Sequence, residues 1–212
     1  MISSRTLGMT IIGQTGFGKT AFLHNLIMED IQEGRTSIVI DPHGDLATDI
    51  LESAPADHAK NVSILEVSEE MPFGLNLYEC ENRKSQLAID RVVDNSILVF
   101  KRLMQSEKDF HPHIEFLLRN TAYTILDNPT LTMAAVSLMF AQSEGGKLFR
   151  ANLLKHISDI DLHNFWQGVE DRKGNLAYQY IEPLLNKVSP FTASRVMRLI
   201  VGQEHTTPHS AV

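Results

Sequence analysis

The chain has little that would indicate a secreted or membrane-embedded protein. It contains one cysteine, Cys80, in 212 residues, which excludes an internal disulfide and favours a reducing compartment. It has no apolar run of membrane-spanning length and no segment that resembles a secretion signal. It also lacks an excess of basic residues, since the formal net charge is −7, and overall charge therefore gives no reason to expect nucleic-acid binding. We expect a cytoplasmic protein.

What the first part of the chain does have is an alternation of short apolar runs with helical segments. Buried parallel strands are typically continuous apolar runs, and a strand–helix–strand order implies right-handed crossovers within one parallel sheet. The pattern therefore predicts an α/β fold. The predicted strands are Met9–Gly13, Ser37–Asp41 and Val62–Val67, with helices over residues 19–33 and 45–51.

The character of the sequence changes after residue 80, where helical periodicity replaces the apolar runs. We divide the chain into a core over residues 1–80, an all-helical subdomain over 81–203, and a tail over 204–212 that is disordered or truncated. Within the helical part, Ser189-Pro190 is predicted to start a helix that Gly202 ends.

The strongest motif is the spacing G-x-x-x-x-G-K-[ST] between the first strand and the first helix. Glycines let backbone N–H groups converge on a phosphate, the lysine supplies a cation to the β- and γ-phosphates, and the Thr20 hydroxyl binds Mg²⁺. The N-terminus of the following helix adds a favourable dipole. The candidate nucleotide-binding residues are Gly13, Gln14, Thr15, Gly16, Phe17, Gly18, Lys19, Thr20 and Ala21.

The sequence lacks the motif that would indicate a guanine nucleotide. No guanine-reading N-K-x-D pattern is present, since Asn186-Lys187 has no aspartate at the required position. We therefore expect ATP with Mg²⁺.

Asp41 ends the second predicted strand and has two interpretations. It is either the carboxylate that holds Mg²⁺ in the hydrolytic site or a polar residue near the nucleotide at the carboxyl end of the sheet. No glutamate follows it to activate water, so we list Asp41 as a candidate catalytic residue that contributes near the Mg²⁺ or the nucleotide. The spacing of Asp41, His43 and Asp45 also fits a metal site, but Asp45 is more simply explained as the cap of the next helix.

Five stretches of the sequence together resemble a known family. In chain order they are TIIGQTGFGKT, SIVIDPHGDL, GLNLYE, HNFW and PLLNKVSPF. They resemble the HerA/FtsK-type motor ATPases, with the HerA-like and conjugative coupling-protein branch of type IV secretion as the nearest match. The resemblance runs from about Arg5 to Gln203.

This resemblance implies a RecA-like P-loop fold, partial in this chain, that carries an all-helical insertion. It further implies a hexameric ring that moves DNA, membrane-associated secretion partners, and a location that is cytoplasmic or peripheral to the inner membrane. In such proteins the Walker B Asp-Glu pair and the arginine finger follow the helical insertion, whereas this sequence stops at Val212. We therefore expect an ATP-binding portion of a DNA-translocating motor, with little turnover alone.

Two other functions remain open. One is a nucleotide-binding regulatory or assembly module that never turns over, which the missing glutamate favours. The other is a small-molecule P-loop kinase whose mobile lid would be residues 82–201. Lids of such kinases carry several arginines to the phosphates, and the D-P-H-G-D stretch is not their motif.

Three weaker signals concern the helical part. His111 and His113 have no companion ligands and are better explained as a turn before a helix than as a metal site. Trp166 lies beside Phe165 in an apolar stretch and is expected in the core.

Lys187, Arg195 and Arg198 lie in a segment without acidic residues. Arg195 and Arg198 are three apart on one helix and thus share a face. This basic face is a candidate contact for DNA or for a neighbouring subunit. Its simpler interpretation is a solvated helix surface.

Overall fold

A computed structural model describes residues 8–59, 61–67, 69–70, 72–103, 111–172, 174–207 and 209–210. The chain divides into two compact units, one that extends to Ile64 and one over residues 65–209. Each unit is considered by itself. In the described residues no helix is both long and apolar enough to cross a bilayer.

Up to Ile64, the described residues form three helices and a short strand. They are α1 (Lys19–Gln32), α2 (Asp45–Ser53), α3 (Ala56–Ala59) and β1 (Ser63–Ile64). Helix α1 packs against α2, and Nε2 of His24 lies 3.2 Å from Oγ of Ser53. The chain leaves α1 through Gly34, whose φ of 69° is readily adopted by glycine. The predicted extents of the first two helices are therefore confirmed to within two residues.

The three predicted strands are largely absent from the described residues. Met9–Gly13 and Ser37–Asp41 are not regular strands, and the third prediction is reduced to Ser63–Ile64. A strand requires a hydrogen-bonded neighbour, and Met9–Gly13 and Ser37–Asp41 have no such pairing among the described residues. Their apolar side chains are accordingly open to solvent, with Ile12, Ile38 and Ile40 exposed by 91%, 88% and 89%. The RecA-like sheet stays a prediction.

The second unit is helical, as the periodicity predicted. Its helices are α4 (Gln86–Leu103), α5 (Pro112–Asp127), α6 (Val136–Met139), α7 (Glu144–Leu154), α8 (Ile160–Glu170), α9 (Asn175–Thr192) and α10 (Arg195–Val201). A 3₁₀ turn, Met133–Ala135, precedes α6. A short strand β2, His209–Ser210, spans the point where the second unit ends and the chain returns to the first unit. Helix α5 contacts α4, α8 and α9 and so lies at the centre of the unit.

The core of this unit is built around Trp166, which is buried. Its ring lies 5.1 Å from that of Phe140 and 4.9 Å from that of Phe165, measured between centroids. Its indole N–H donates to the Thr124 hydroxyl over 2.8 Å, so the buried polar atom is satisfied. The prediction that Trp166 is a core residue is confirmed.

The predicted helix start at Ser189-Pro190 is wrong. Pro190 lies inside α9, and α10 begins at Arg195 with Ser194 as its N-cap, whose hydroxyl accepts from the Met197 N–H. Gly202 follows the last residue of α10, as predicted. A Cβ at Gly202 would lie 2.4 Å from the Arg198 carbonyl oxygen, so glycine is required for space there.

Residues 204–207, part of the predicted tail, are hydrogen-bonded to residues 74–79. The backbone groups of Gly74 and Thr207 exchange two hydrogen bonds, of 3.2 and 3.0 Å. The Glu79 carboxylate accepts from the Thr206 N–H at 2.9 Å and lies 3.2 Å from Nδ1 of His205. A Cβ at Gly74 would come within 2.2 Å of the His205 carbonyl oxygen, so glycine is needed for this close approach. This pairing is called the clasp below.

Candidate nucleotide-binding site

The loop between Gly13 and Thr20 depends on two glycines in the left-handed region. Gly16 has a φ of 87° and Gly18 a φ of 80°. A Cβ at either position would meet nothing within 4 Å, so the requirement for glycine is conformational rather than steric. The N–H of Phe17 donates to the Gln14 carbonyl over 3.2 Å and closes a turn at the tip of the loop.

Helix α1 begins directly at this loop with an uncapped N-terminus. Its N-cap is Gly18, no side chain caps the first turn, and the first turn has no acidic residue. The first N–H groups of a helix have no intrahelical acceptor, and together with the helix dipole they favour a bound anion. The backbone here therefore presents free donors of the kind that bind phosphate.

Lys19 is positioned over the loop by two hydrogen bonds. Its ammonium donates to the Gly13 carbonyl over 2.8 Å and to the Gln14 carbonyl over 3.0 Å. A Cβ at Gly13 would lie 3.5 Å from Cγ of Lys19, which places the lysine stem across that glycine. An ammonium has three donors, so one donor and the full positive charge remain for a ligand.

A concavity of about 650 Å³ lies beside the loop. Its lining includes five of the predicted nucleotide-binding residues, together with three that the sequence analysis did not assign. The predicted ones are Gly13, Gln14, Phe17, Gly18 and Lys19, and the additional ones are Ile11, Ile12 and Phe22. The predicted residues Thr15, Gly16, Thr20 and Ala21 lie outside this lining. The side chain of Thr20 is exposed in the first turn of α1.

The three additional residues carry no motif of their own. The apolar run at Ile11 and Ile12 predicted a buried strand, and Phe22 lies in the predicted helix over residues 19–33. Phe22 is 44% exposed. The available signal was their position directly beside the phosphate-loop motif.

Asp41 performs the capping role that was predicted for Asp45. Helix α2 has Gly44 as its N-cap and Asp45 as its first residue, without a side-chain cap at those positions. The Asp41 carboxylate accepts from the Ala47 N–H and from the His43 N–H, both over 3.1 Å. These hydrogen bonds, led by that from Ala47, lower the pKa of Asp41 below its usual range. The prediction for Asp45 is wrong because the turn at Gly44 brings the earlier carboxylate to the helix end.

The two helices of this unit thus differ at their N-termini. Both begin after a glycine with positive φ, Gly18 for α1 and Gly44 for α2. At α2 the Asp41 carboxylate already supplies the negative charge, whereas at α1 no side chain does so. Of the two, α1 is the N-terminus open to an external anion.

Residues 6–96 match the family model of the helicase HerA central domain. The matched segment contains the whole phosphate loop, α1, Asp41 and α2. It supports a HerA-type P-loop ATPase relationship for this part of the chain. No curated protein and no solved structure matches the chain.

Outside the HerA-matching loop, the other predicted polar sites have local explanations. Among the described residues no group of three or more histidine, cysteine, aspartate or glutamate side chains is arranged to hold a metal. His111 is the N-cap of α5. His113 places Nε2 2.8 Å from the Tyr180 carbonyl oxygen and packs its ring against that of Tyr180 at 4.6 Å.

The basic face is divided between two helices. Lys187 lies in α9 and is half-buried, while Arg195 and Arg198 lie in α10 and are exposed. The Arg198 guanidinium donates to the carbonyls of Thr192 and Ala193 over 2.7 and 3.0 Å, at the C-terminus of α9. A cation there satisfies carbonyls that the helix leaves unpaired. Arg198 thus has a structural task whether or not it contacts a partner.

Proposed function

We propose that residues Gly13 to Thr20 bind MgATP and that the chain is the ATP-binding portion of a HerA-type DNA-translocating motor. The observation that carries this proposal is the uncapped N-terminus of α1 beside the Lys19 ammonium, which keeps one donor. Backbone N–H groups at a helix N-terminus and a nearby cation are the features by which phosphate loops hold a triphosphate.

Each residue of the loop has a distinct part in this proposal. The N–H groups of the first turn of α1 and the Lys19 ammonium hold the phosphates, while the Thr20 hydroxyl holds Mg²⁺. Mg²⁺ neutralises part of the phosphate charge when it is bound. The glycines at 16 and 18 keep the backbone in the conformation that directs these donors to one point.

The proposal also covers the assembly, the substrate and the biological role of the whole motor. The motifs quoted above favour a protein that assembles as a homo-oligomeric ring, takes DNA as its substrate, and acts in DNA processing or conjugative transfer with secretion partners at the membrane. In this arrangement a neighbouring subunit completes the ATP site. The match of residues 6–96 to the HerA central domain supports the motor class, and the conjugative branch is our extension of it.

The test is a calorimetric titration of the chain with MgATP. We expect saturable binding by the wild type and loss of most of that binding in Lys19→Ala, because the substitution deletes the cation of the loop. Lys84→Ala is the matched control, since Lys84 is an exposed lysine in the other unit and its removal should leave the affinity unchanged. Equal affinity of Lys19→Ala and wild type would overturn the proposal.

A second candidate function is a nucleotide-binding regulatory or assembly module without turnover. The observation that favours it is the local use of Asp41, since both of its oxygens accept backbone hydrogen bonds at the start of α2. A carboxylate held in this way is poorly placed to orient an attacking water. The two candidates differ in the rate of phosphate release, which is addressed in the Discussion.

A further inference from the structure

The concavity beside the phosphate loop has two chemically different parts. One part is the loop itself, with the Lys19 ammonium and the backbone of Gly13 and Gly18. The other is apolar and is formed by Ile11, Ile12, Phe17 and Phe22. The concavity, of about 650 Å³, is open to solvent rather than enclosed. The fitting ligand has an anionic end and a flat apolar end.

Phe17 is placed at this site by the loop rather than by a hydrophobic core. Its side chain is 77% exposed, although phenylalanine loses a favourable burial energy when it is left in water. Its two neighbours, Gly16 and Gly18, both have positive φ, and its own N–H closes the turn onto Gln14. The backbone therefore fixes where the ring emerges, at the edge of the same concavity as Phe22.

The apolar part of the lining carries no side chain that reads the edge of a base. The side chains of isoleucine and phenylalanine have no hydrogen-bonding atoms, and the only side-chain amide in the lining is that of Gln14. An amide has both a donor and an acceptor, so rotation lets it pair with adenine or with guanine. These side chains thus recognise a base by its face and not by the pattern of its edge.

We propose that Phe17, with Phe22, is a stacking platform for the nucleobase and that the site takes purine nucleotides with little discrimination between adenine and guanine. This inference rests on the proposed function, because it needs the triphosphate on the loop. It makes Phe17 a determinant of affinity for the base. The phosphate loop alone determines affinity for the phosphates.

The experiment compares three ligands, MgATP, MgGTP and magnesium tripolyphosphate, by calorimetric titration of the full chain. Because stacking on an aromatic ring stabilises every base, we expect the Kd values of ATP and GTP to lie within about fivefold of each other. In Phe17→Ala both Kd values should rise by about tenfold while that of tripolyphosphate is unchanged. Phe17→Tyr, which keeps the aromatic face, should bind all three ligands as the wild type does.

Two further variants test whether the effect on affinity is specific to the aromatic side chains of the concavity. Phe22→Ala should weaken ATP and GTP in the same direction as Phe17→Ala. Leu148→Ala, which removes an exposed apolar side chain in the other unit, should change none of the three affinities.

The possible failures point to different causes. ATP binding that is lost in Lys19→Ala but unchanged in Phe17→Ala would overturn the stacking platform and leave the proposed function standing. A preference for ATP over GTP of more than about fiftyfold would overturn it as well, because it would require a base-reading group. Absence of ATP binding by the wild type would overturn both proposals together.

Discussion

Oδ2 of Asp41 lies 3.1 Å from the backbone nitrogen of Ala47 and accepts its hydrogen bond. The seven residues from Asp41 to Ala47 are thus closed into a turn by one carboxylate, which also accepts from the His43 N–H. Asp41 therefore stabilises the start of α2. The first two predictions concern this residue.

Replacing Asp41 by asparagine should destabilise the protein in a pH-dependent way. Asparagine has one acceptor oxygen in place of two, so either the Ala47 or the His43 N–H loses its partner. Because the folded-state pKa of Asp41 is lowered, its stabilisation is complete above the ordinary aspartate value of about 3.9 and is lost as the pH falls through the lower folded-state value. Thermal unfolding of both proteins across this pH range measures the difference.

The matched control for this prediction is Asp45→Asn. Asp45 is also an acidic residue in the first turn of α2 but is not the residue that accepts from the Ala47 N–H. The Asp45→Asn substitution should lower thermal stability at neutral pH by less than Asp41→Asn does. Equal losses in the two variants would show that the capping geometry is not the source of the effect.

Phosphate release by the isolated chain should be slow, below about 1 s⁻¹. The physical reason is the local use of Asp41, whose oxygens are directed at backbone N–H groups of its own turn. A coupled phosphate assay with MgATP measures the rate. A faster rate that disappears in a folded Asp41→Ala variant would assign Asp41 to the Mg²⁺ or to the attacking water and would exclude the module without turnover.

Arg150 should be essential to the stability of the helical unit. It is buried, and its guanidinium donates to Glu170 over 2.5 Å and to the carbonyls of Met139 and Ala141 over 2.9 and 2.7 Å. Arg150→Met leaves these acceptors unpaired and should lower the free energy of unfolding by about 3–5 kcal/mol. Urea unfolding followed by circular dichroism measures the change.

Two further variants show which interaction causes the loss of stability in Arg150→Met. Arg150→Met combined with Glu170→Leu should recover part of the stability, since the half-buried carboxylate that would be left without its partner is removed as well. Lys147→Met, which breaks the exposed pair with Glu144 on the same helix, should have little effect. A single variant as stable as the wild type would contradict the role assigned to Arg150.

Gly74→Ala should open the clasp. A Cβ at this position would lie 2.2 Å from the His205 carbonyl oxygen and 2.8 Å from Oγ1 of Thr207, so the two segments cannot keep their spacing. We expect faster hydrogen exchange at the Leu75 and Thr207 amides, which donate to Ile200 and Gly74. Gly145→Ala is the control, because its Cβ would meet its nearest neighbour at an ordinary 3.9 Å. Unchanged exchange in Gly74→Ala would contradict the steric argument.

The isolated chain should bind duplex DNA weakly at physiological salt. Non-specific affinity comes largely from contacts of lysine and arginine with phosphates, and the net charge of −7 opposes it. Fluorescence anisotropy with a labelled duplex at two salt concentrations measures the affinity. Residual binding should be salt-sensitive and should fall in Lys187→Ala combined with Arg195→Ala.

Arg198→Ala distinguishes a structural role of the basic face from a role in DNA binding. Because Arg198 holds the carbonyls of Thr192 and Ala193, its loss should lower thermal stability, whereas Arg195→Ala should not. Tight DNA binding that survives moderate salt and the double substitution would show that another surface makes the contact.

The features that were predicted correctly are those that depend on residues close together in the sequence. The phosphate-loop spacing predicted the turn before α1, and Gly202 was predicted as the end of α10. The stretch that ends at Trp166 was correctly assigned to the core. In each case the deciding residues lie within one or two turns of each other.

The features that the sequence did not predict depend on distant contacts or on turn geometry. Pro190 was taken as a helix start, but α9 continues through it while packed against α5 and α6, and tertiary contacts override a local preference. The capping by Asp41 depends on the φ of Gly44. The clasp joins residues about 130 positions apart, as between Asn76 and Thr206, and no periodicity in the sequence reports such a pairing.

The clasp also determines how the helical unit is connected to the rest of the polypeptide. Gly74 and Thr207 are held at the spacing of adjacent β-strands, about 5 Å, so the backbone departs and returns at a single point. The segment between Glu79 and Gln203 is therefore an insertion whose two ends lie close together, and it does not force apart the residues on either side of it. We therefore expect that replacing this segment by a tight turn would leave the distance between Gly74 and Thr207 unchanged.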